Sequence, residues 1–146
     1  MFSQFALHER LLKAVAELNF VEPTPVQTAA IPLALEGRDL RVTAQTGSGK
    51  TAAFVLPMLN RLMGPAKVRV DIRALILLPT RELAQQTLKE VERFSQFTFI
   101  KAGLITGGEV RVQGCSQDRL VTAISTLHGM GARFEITDSS VSARTD

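Results

Sequence analysis

The segment Ala44-Gln45-Thr46-Gly47-Ser48-Gly49-Lys50-Thr51 constrains this chain more than any other. It lies between a short apolar stretch, Leu40 and Val42, and a helical pattern that begins at Lys50. Glycines at these positions let the backbone curl until successive amides converge on phosphate oxygens. The helix that follows adds its positive N-terminal end. In such a loop Lys50 reaches the terminal phosphates and the Thr51 hydroxyl ligates Mg2+. The bland alternative is a glycine-rich turn with a chance Lys-Thr after it. The generic pattern has glycine where this chain has Ala44. Strand before and helix after is the context a phosphate loop requires, and it presupposes an α/β fold.

The rest of the chain fits that fold. Apolar residues at Leu7, Leu11, Leu12, Val15 and Leu18 make a helical stripe. Thr24 can cap a second helix from about Val26 to Leu35, with Pro25 in its first turn and Gly37 past its end. A third helix is expected from Lys50 to Met63, with Pro57 kinking it or marking a boundary. A fourth spans Arg81 to Phe94. Strands are expected at Asp39–Ala44, Ala74–Leu78 and Ala102–Ile105, the second an unbroken apolar run suited to burial on both faces. Helices alternating with such strands spell a doubly wound parallel sheet with helices on both faces. Ligands of such sheets bind at the carboxyl ends of the strands, where the loop above falls. From Val110 to Asp146 no clear alternation or helical period is read, and an irregular tail is expected.

Composition narrows the function classes. At 146 residues there is room for one domain, and no apolar run is long enough for a membrane-spanning helix. The N-terminus does not read as a signal peptide. The single cysteine, Cys115, has no disulfide partner or metal-ligand neighbours, so a reducing, cytoplasmic setting is the default. His8 and His128 stand alone and read as surface or packing residues. A net charge of +3 is compatible with a polyanionic partner but does not by itself establish one. Trp and Tyr are absent, which leaves only Phe for stacking on bases.

Two further segments carry chemistry. Upstream of the loop, Phe20-Val21-Glu22-Pro23-Thr24-Pro25-Val26-Gln27 offers an amide whose donor and acceptor match the N6 and N7 edge of adenine. An aromatic nearby can cover the base. Alone, the segment would read as a helix-capping turn. Downstream, Pro79-Thr80-Arg81 turns an apolar run into a helix, so that its first amides, the Thr80 hydroxyl and the Arg81 guanidinium can all grip a phosphate. The alternative for Arg81 and Glu82 is a surface ion pair at a helix start. Gly107-Gly108 permits close backbone approach, or is a plain tight turn.

Taken together, these segments resemble the DEAD-box RNA helicases. Phe20 to Gln27 is similar to their Q motif, with Phe2 at the position of their isolated upstream aromatic. Ala44 to Thr51 is similar to motif I, where alanine in first place is usual. Pro79 to Ala84 resembles motif Ia, and Gly107-Gly108 the family's glycine doublet. Asn19 stands where the family usually has glycine. The resemblance covers residues 2 to about 109 and implies part of a RecA-like (P-loop) domain, with 110–146 a tail outside it. It implies ATP and Mg2+ as ligands, held by Phe2, Phe20, Gln27 and residues 44–51, with Lys50 and Thr51 in the chemistry. RNA is the implied partner, its backbone met by Pro79, Thr80, Arg81, Gly107 and Gly108 independently of base sequence. The family's Thr-Pro-Gly-Arg segment and Asp-Glu-Ala-Asp box do not occur in this sequence. An incomplete sheet would leave strand edges open to self-association.

Overall fold

The computed structural model describes residues 1–64, 73–104, 109–113, 133–137 and 140–144. Residue contacts divide the chain into two compact units, Met1–Arg69 with Thr87–Gly103, and Val70–Gln86 with Leu104–Asp146.

The first unit is helical. After a 3-10 turn at Phe2–Gln4 come α1 (Glu9–Glu17), α2 (Pro25–Leu35) and α3 (Lys50–Leu62), and the last turns of α4 (Arg81–Ser95) complete it. Each helix starts and stops for a local reason. His8 caps α1, its Nδ1 accepting the Arg10 amide at 3.2 Å, while its own amide donates to Asn60 Oδ1 at 2.6 Å. At the far end of α1, the amide of Asn19 donates to the Ala16 carbonyl and that of Phe20 to the Val15 carbonyl. This is a Schellman closure, and it needs a left-handed residue at its hinge. Asn19 supplies it with φ of 58°, one of the few residue types that tolerate that region. Asparagine therefore does the conformational work that a glycine would do at this hinge. Gly37, with φ of 83°, closes α2 the same way: its amide donates to the Ala34 carbonyl and the Arg38 amide donates to the Leu33 carbonyl.

α2 packs against α3, and α1 rests on α3 and on the N-terminal turn. The core gathers Leu11 and Val15 from α1, Ile31 from α2, Val55, Leu56 and Leu59 from α3, and Val91 and Phe94 from α4. Pro57 lies inside α3 without ending it. An interior proline removes a helical hydrogen bond and costs roughly 3 kcal/mol, a loss set here against the burial of its ring beside Leu56 and Leu59.

The expected parallel sheet is not present among the described residues. Positions 39–44, 73–78 and 101–104 form no strand ladder. Their exposure is consistent with that: Val42 and Leu104 are exposed, and Leu75 to Leu78 are only half-buried. A strand of a parallel sheet is specified by neighbours on both sides and helices on both faces, and periodicity cannot supply either. Ile105, the last residue of the third expected strand, lies outside the described residues.

The described strands lie instead in the tail expected to be irregular. They are β1 (Glu109–Gln113), β2 (Arg133–Thr137) and β3 (Ser140–Arg144), paired antiparallel in the order β1-β3-β2. Register rows join Val112, Val141 and Ile136, and likewise Val110, Ala143 and Phe134. Glu109–Gln113 and Arg133–Thr137 do alternate polar and apolar residues over five positions, an ordinary strand length, but the surrounding Ser, Thr and Gly mask the pattern in a longer window.

Candidate functional site

The glycine loop stands in the first unit where α3 begins. Residues 46 and 47 make a turn, and the Ser48 amide donates to the Gln45 carbonyl at 3.3 Å. Gly47 and Gly49 have φ of 78° and 85°, both in the left-handed region. Gly47 faces open space, with no atom within 4 Å of a Cβ placed there. Gly49 does not: a Cβ there would lie 2.4 Å from Gln27 Nε2 and 3.2 Å from Thr24 Oγ1. One glycine thus serves loop conformation alone, and the other also admits a neighbouring side chain.

That neighbour is Gln27, only 1% exposed. Its Oε1 accepts the Thr24 amide at 2.9 Å, and its own amide donates to Thr24 Oγ1 at 3.4 Å, a reciprocal capping box at the start of α2. Its Nε2 donates to the Gly49 carbonyl at 3.1 Å. One side chain therefore ties the cap of α2 to the hinge of the loop. An amide carries two N–H donors and two acceptor lone pairs, so one of each remains beyond these bonds. The Thr-x-x-Gln spacing announces the capping box in sequence; nothing local announces the bond to Gly49.

Lys50 opens α3, and its ammonium donates to the carbonyls of Ala44 and Gln45, the latter at 2.6 Å. These bonds brace the loop from within, and the third ammonium hydrogen is left over. Thr51 follows in the first turn of α3, half-buried. Ser48 Oγ is buried without a hydrogen-bond partner, an orphaned polar atom in the middle of the loop. Left-handed glycines, a helix N-terminus and an unpaired buried hydroxyl fit a bound polyphosphate. For Mg2+ the chemistry of the donors is the relevant observation. Among the described residues no group of three or more His, Cys, Asp or Glu could hold a metal. Mg2+ binds nucleotide sites through one or two protein oxygens plus phosphates and water, and the Thr51 hydroxyl offers one such oxygen.

Phe2 and Phe20 are joined in an edge-to-face chain of rings. Phe5 meets Phe2 at 5.8 Å, Phe2 meets Phe20 at 6.1 Å, and Phe20 meets Phe94 at 5.4 Å. Phe2 is buried, so its ring supports Phe20 from within. Phe94 and Phe97 pack, Phe97 beneath the Lys13 ammonium at 4.3 Å, while Phe99 is exposed.

The second unit carries Pro79, Thr80 and Arg81. Thr80 Oγ1 accepts the Leu83 amide at 3.2 Å and so caps α4, leaving its own proton to donate. Arg81 and Glu82 are both exposed, and the ion pairs among the described residues are Arg38–Glu36 and Arg93–Glu90. Gly107 and Gly108 lie outside the described residues.

This geometry agrees with what the chain is similar to. The sequence model of the DEAD/DEAH box helicases matches residues 24–134, and the chain belongs to that family. The match continues past residue 109, into the segment that holds β1 and the first residues of β2. A probable ATP-dependent RNA helicase ddx27 of Dictyostelium discoideum is 45% identical over 142 residues, covering 89% of this chain and 18% of that protein. DEAD-box ATP-dependent RNA helicase 28 of Arabidopsis thaliana is 53% identical over 107 residues, covering 73% of this chain and 14% of its own length. Among solved structures, the RNA helicase Prp28 from Chaetomium thermophilum bound to ADP is 47% identical, with a TM-score of 0.65 over 70% of this chain and 25% of that one. Dbp5 of S. cerevisiae bound to RNA and ADP BeF3 is 38% identical, with a TM-score of 0.61 over 66% of this chain and 25% of that one. The chain therefore spans less than a fifth of these two curated relatives. Among the described residues no helix is long and apolar enough to cross a membrane.

Proposed function

We propose that this chain is the ATP-binding, RNA-backbone-contacting part of an ATP-dependent RNA helicase, drawn from the first RecA-like domain. The observation that carries the reading is the bond from Gln27 Nε2 to the Gly49 carbonyl, which couples an adenine-matching amide to a phosphate loop. Gln27, 1% exposed in the free chain, turns its remaining donor and acceptor to the base edge once the loop at Gly49 shifts to uncover them, and Phe20 covers the face. Backbone amides from Thr46 to Lys50 cradle the phosphates. The Lys50 ammonium trades its loop carbonyls for phosphate oxygens, and Thr51 supplies an oxygen to Mg2+. Mg2+ held through the Thr51 hydroxyl would offset charge on the phosphates.

Thr80 and Arg81, at the capped start of α4, grip the RNA backbone, with Pro79 setting the turn. Such binding ignores base sequence and weakens as salt rises. Gly107 and Gly108 join this surface by resemblance alone. A reducing, cytoplasmic setting matches the single cysteine. The outer edges of β1 and β2 have no ladder partner among the described residues, and self-association through them follows from the same reading.

A thermal melt with and without Mg-ATP, beside Lys50→Ala, tests the site. A ligand at 100 times its dissociation constant stabilises the fold by about 2.7 kcal/mol. A rise in the parent that the variant lacks supports the reading. A transition indifferent to ATP in both refutes it.

A further inference from the structure

We propose that Phe94 is a positioning residue for the nucleotide base, acting by fixing the ring plane of Phe20. This rests on the reading of Phe20 as the cover of the base, and it adds a residue that lies outside every segment carrying the resemblance.

Phe20 stands between two other rings. Phe2 meets it at 6.1 Å with planes inclined by 76°, and Phe94 at 5.4 Å with planes inclined by 69°. Edge-to-face pairs are directional because the positive edge of one ring faces the negative face of another. The two flanking rings are anchored: Phe2 is 4% exposed and Phe94 0%. Phe20 itself is half-buried and keeps part of its surface free. Its backbone is already fixed by the amide bond to the Val15 carbonyl that closes α1. What remains to be decided is the rotation of its side chain, and Phe2 and Phe94 decide it. Phe94 does so from α4, far along the sequence from Phe20.

The consequence separates positioning from packing. Stacking depends on the plane that Phe20 offers to a base, whereas phosphates bind at the loop through backbone amides and Lys50. Loss of the Phe94 ring should weaken ligands that carry a base and spare those that carry only phosphates. A residue that merely filled space would move stability without this split.

The test is titration calorimetry of the full chain with Mg-ATP and with Mg-tripolyphosphate. Phe94→Met and Phe94→Leu are compared with the parent after circular dichroism confirms equal helix content; two replacements guard against one failing to fold. The expected result is ATP affinity lowered about three- to tenfold in the variants, the scale of one aromatic pair, with tripolyphosphate affinity unchanged. In a Phe20→Leu background, Phe94→Met should add no further loss. Equal weakening of both ligands, or ATP affinity unchanged in the variants, overturns the assignment. A parent that binds tripolyphosphate but not ATP overturns the base site and this assignment with it. A parent that binds neither refutes the nucleotide reading itself, a failure distinct from that of Phe94.

Discussion

Alanine at Gly49 should cost the fold far more than alanine at Gly47, although both glycines have the same handedness. Each has φ near +80°, at 85° and 78°, where an L side chain is strained by about 1–2 kcal/mol. At Gly47 nothing lies within 4 Å of the added methyl, so that strain is the whole cost. At Gly49 the methyl would stand 2.4 Å from Gln27 Nε2, closer than carbon and nitrogen can approach. Gln27 has nowhere to move: it is 1% exposed and held at both ends of its amide. Displacing it breaks the bonds to the Thr24 amide and the Gly49 carbonyl, each worth about 1 kcal/mol net and more where a buried partner is left unpaired. The Gly49→Ala cost is therefore about 3–5 kcal/mol against about 1–2 kcal/mol for Gly47→Ala. Urea unfolding followed by far-UV circular dichroism measures the difference. With slopes of about 1–3 kcal/mol per molar urea, a difference of about 1–4 kcal/mol should separate the midpoints by about 0.3–4 M. In a Gln27→Ala background most of the excess at Gly49 should disappear, because the obstructing amide is gone and only the 3.2 Å approach to Thr24 Oγ1 remains. Equal midpoints for the two single variants would refute the claim that Gln27 is locked against the loop.

Other expectations follow from the same contacts. Asn19→Gly should hold or raise the melting temperature, while Asn19→Ala should lower stability by about 1 kcal/mol, since only the first tolerates the left-handed hinge; a thermal melt reads both. Thr24→Ala removes one arm of the capping box and should cost about 1 kcal/mol, visible as lost α2 protection in amide exchange. Ser48→Ala deletes a buried hydroxyl without a partner, so the free chain should be unchanged or up to about 1 kcal/mol more stable by urea titration. Arg81→Ala should weaken binding of any single-stranded RNA alike and flatten its salt dependence by about one phosphate contact, measured by fluorescence anisotropy across a salt series.

The helices were legible in the sequence to within a residue or two, as were Thr24 as a cap, Gly37 as a stop and Lys50 at the head of α3. Asn19 stands where the resemblance leads one to expect glycine, and its φ of 58° lies in the left-handed region that glycine favours. His8, a surface or packing residue by sequence, is exposed and in addition caps α1. Pro57 was expected to kink or end α3 and does not end it, because burial within the helix outweighs the missing bond. Sheet structure was the least legible. Strands were expected at 39–44, 74–78 and 102–105; those described fall at 109–113, 133–137 and 140–144, and antiparallel.

The division has one physical cause. Helices, caps and the glycine loop are closed chiefly by hydrogen bonds between residues no more than six apart, so a short window of sequence contains both partners. That window also contained the order of motifs, and with it the family. Only the tertiary structure could decide that Gln27 spends its amide on Gly49, that Phe20 is set between Phe2 and Phe94, and that Ser140–Arg144 pairs with Glu109–Gln113. Those partners are distant along the chain, and what unites them is the space left when helices pack, which no local pattern encodes.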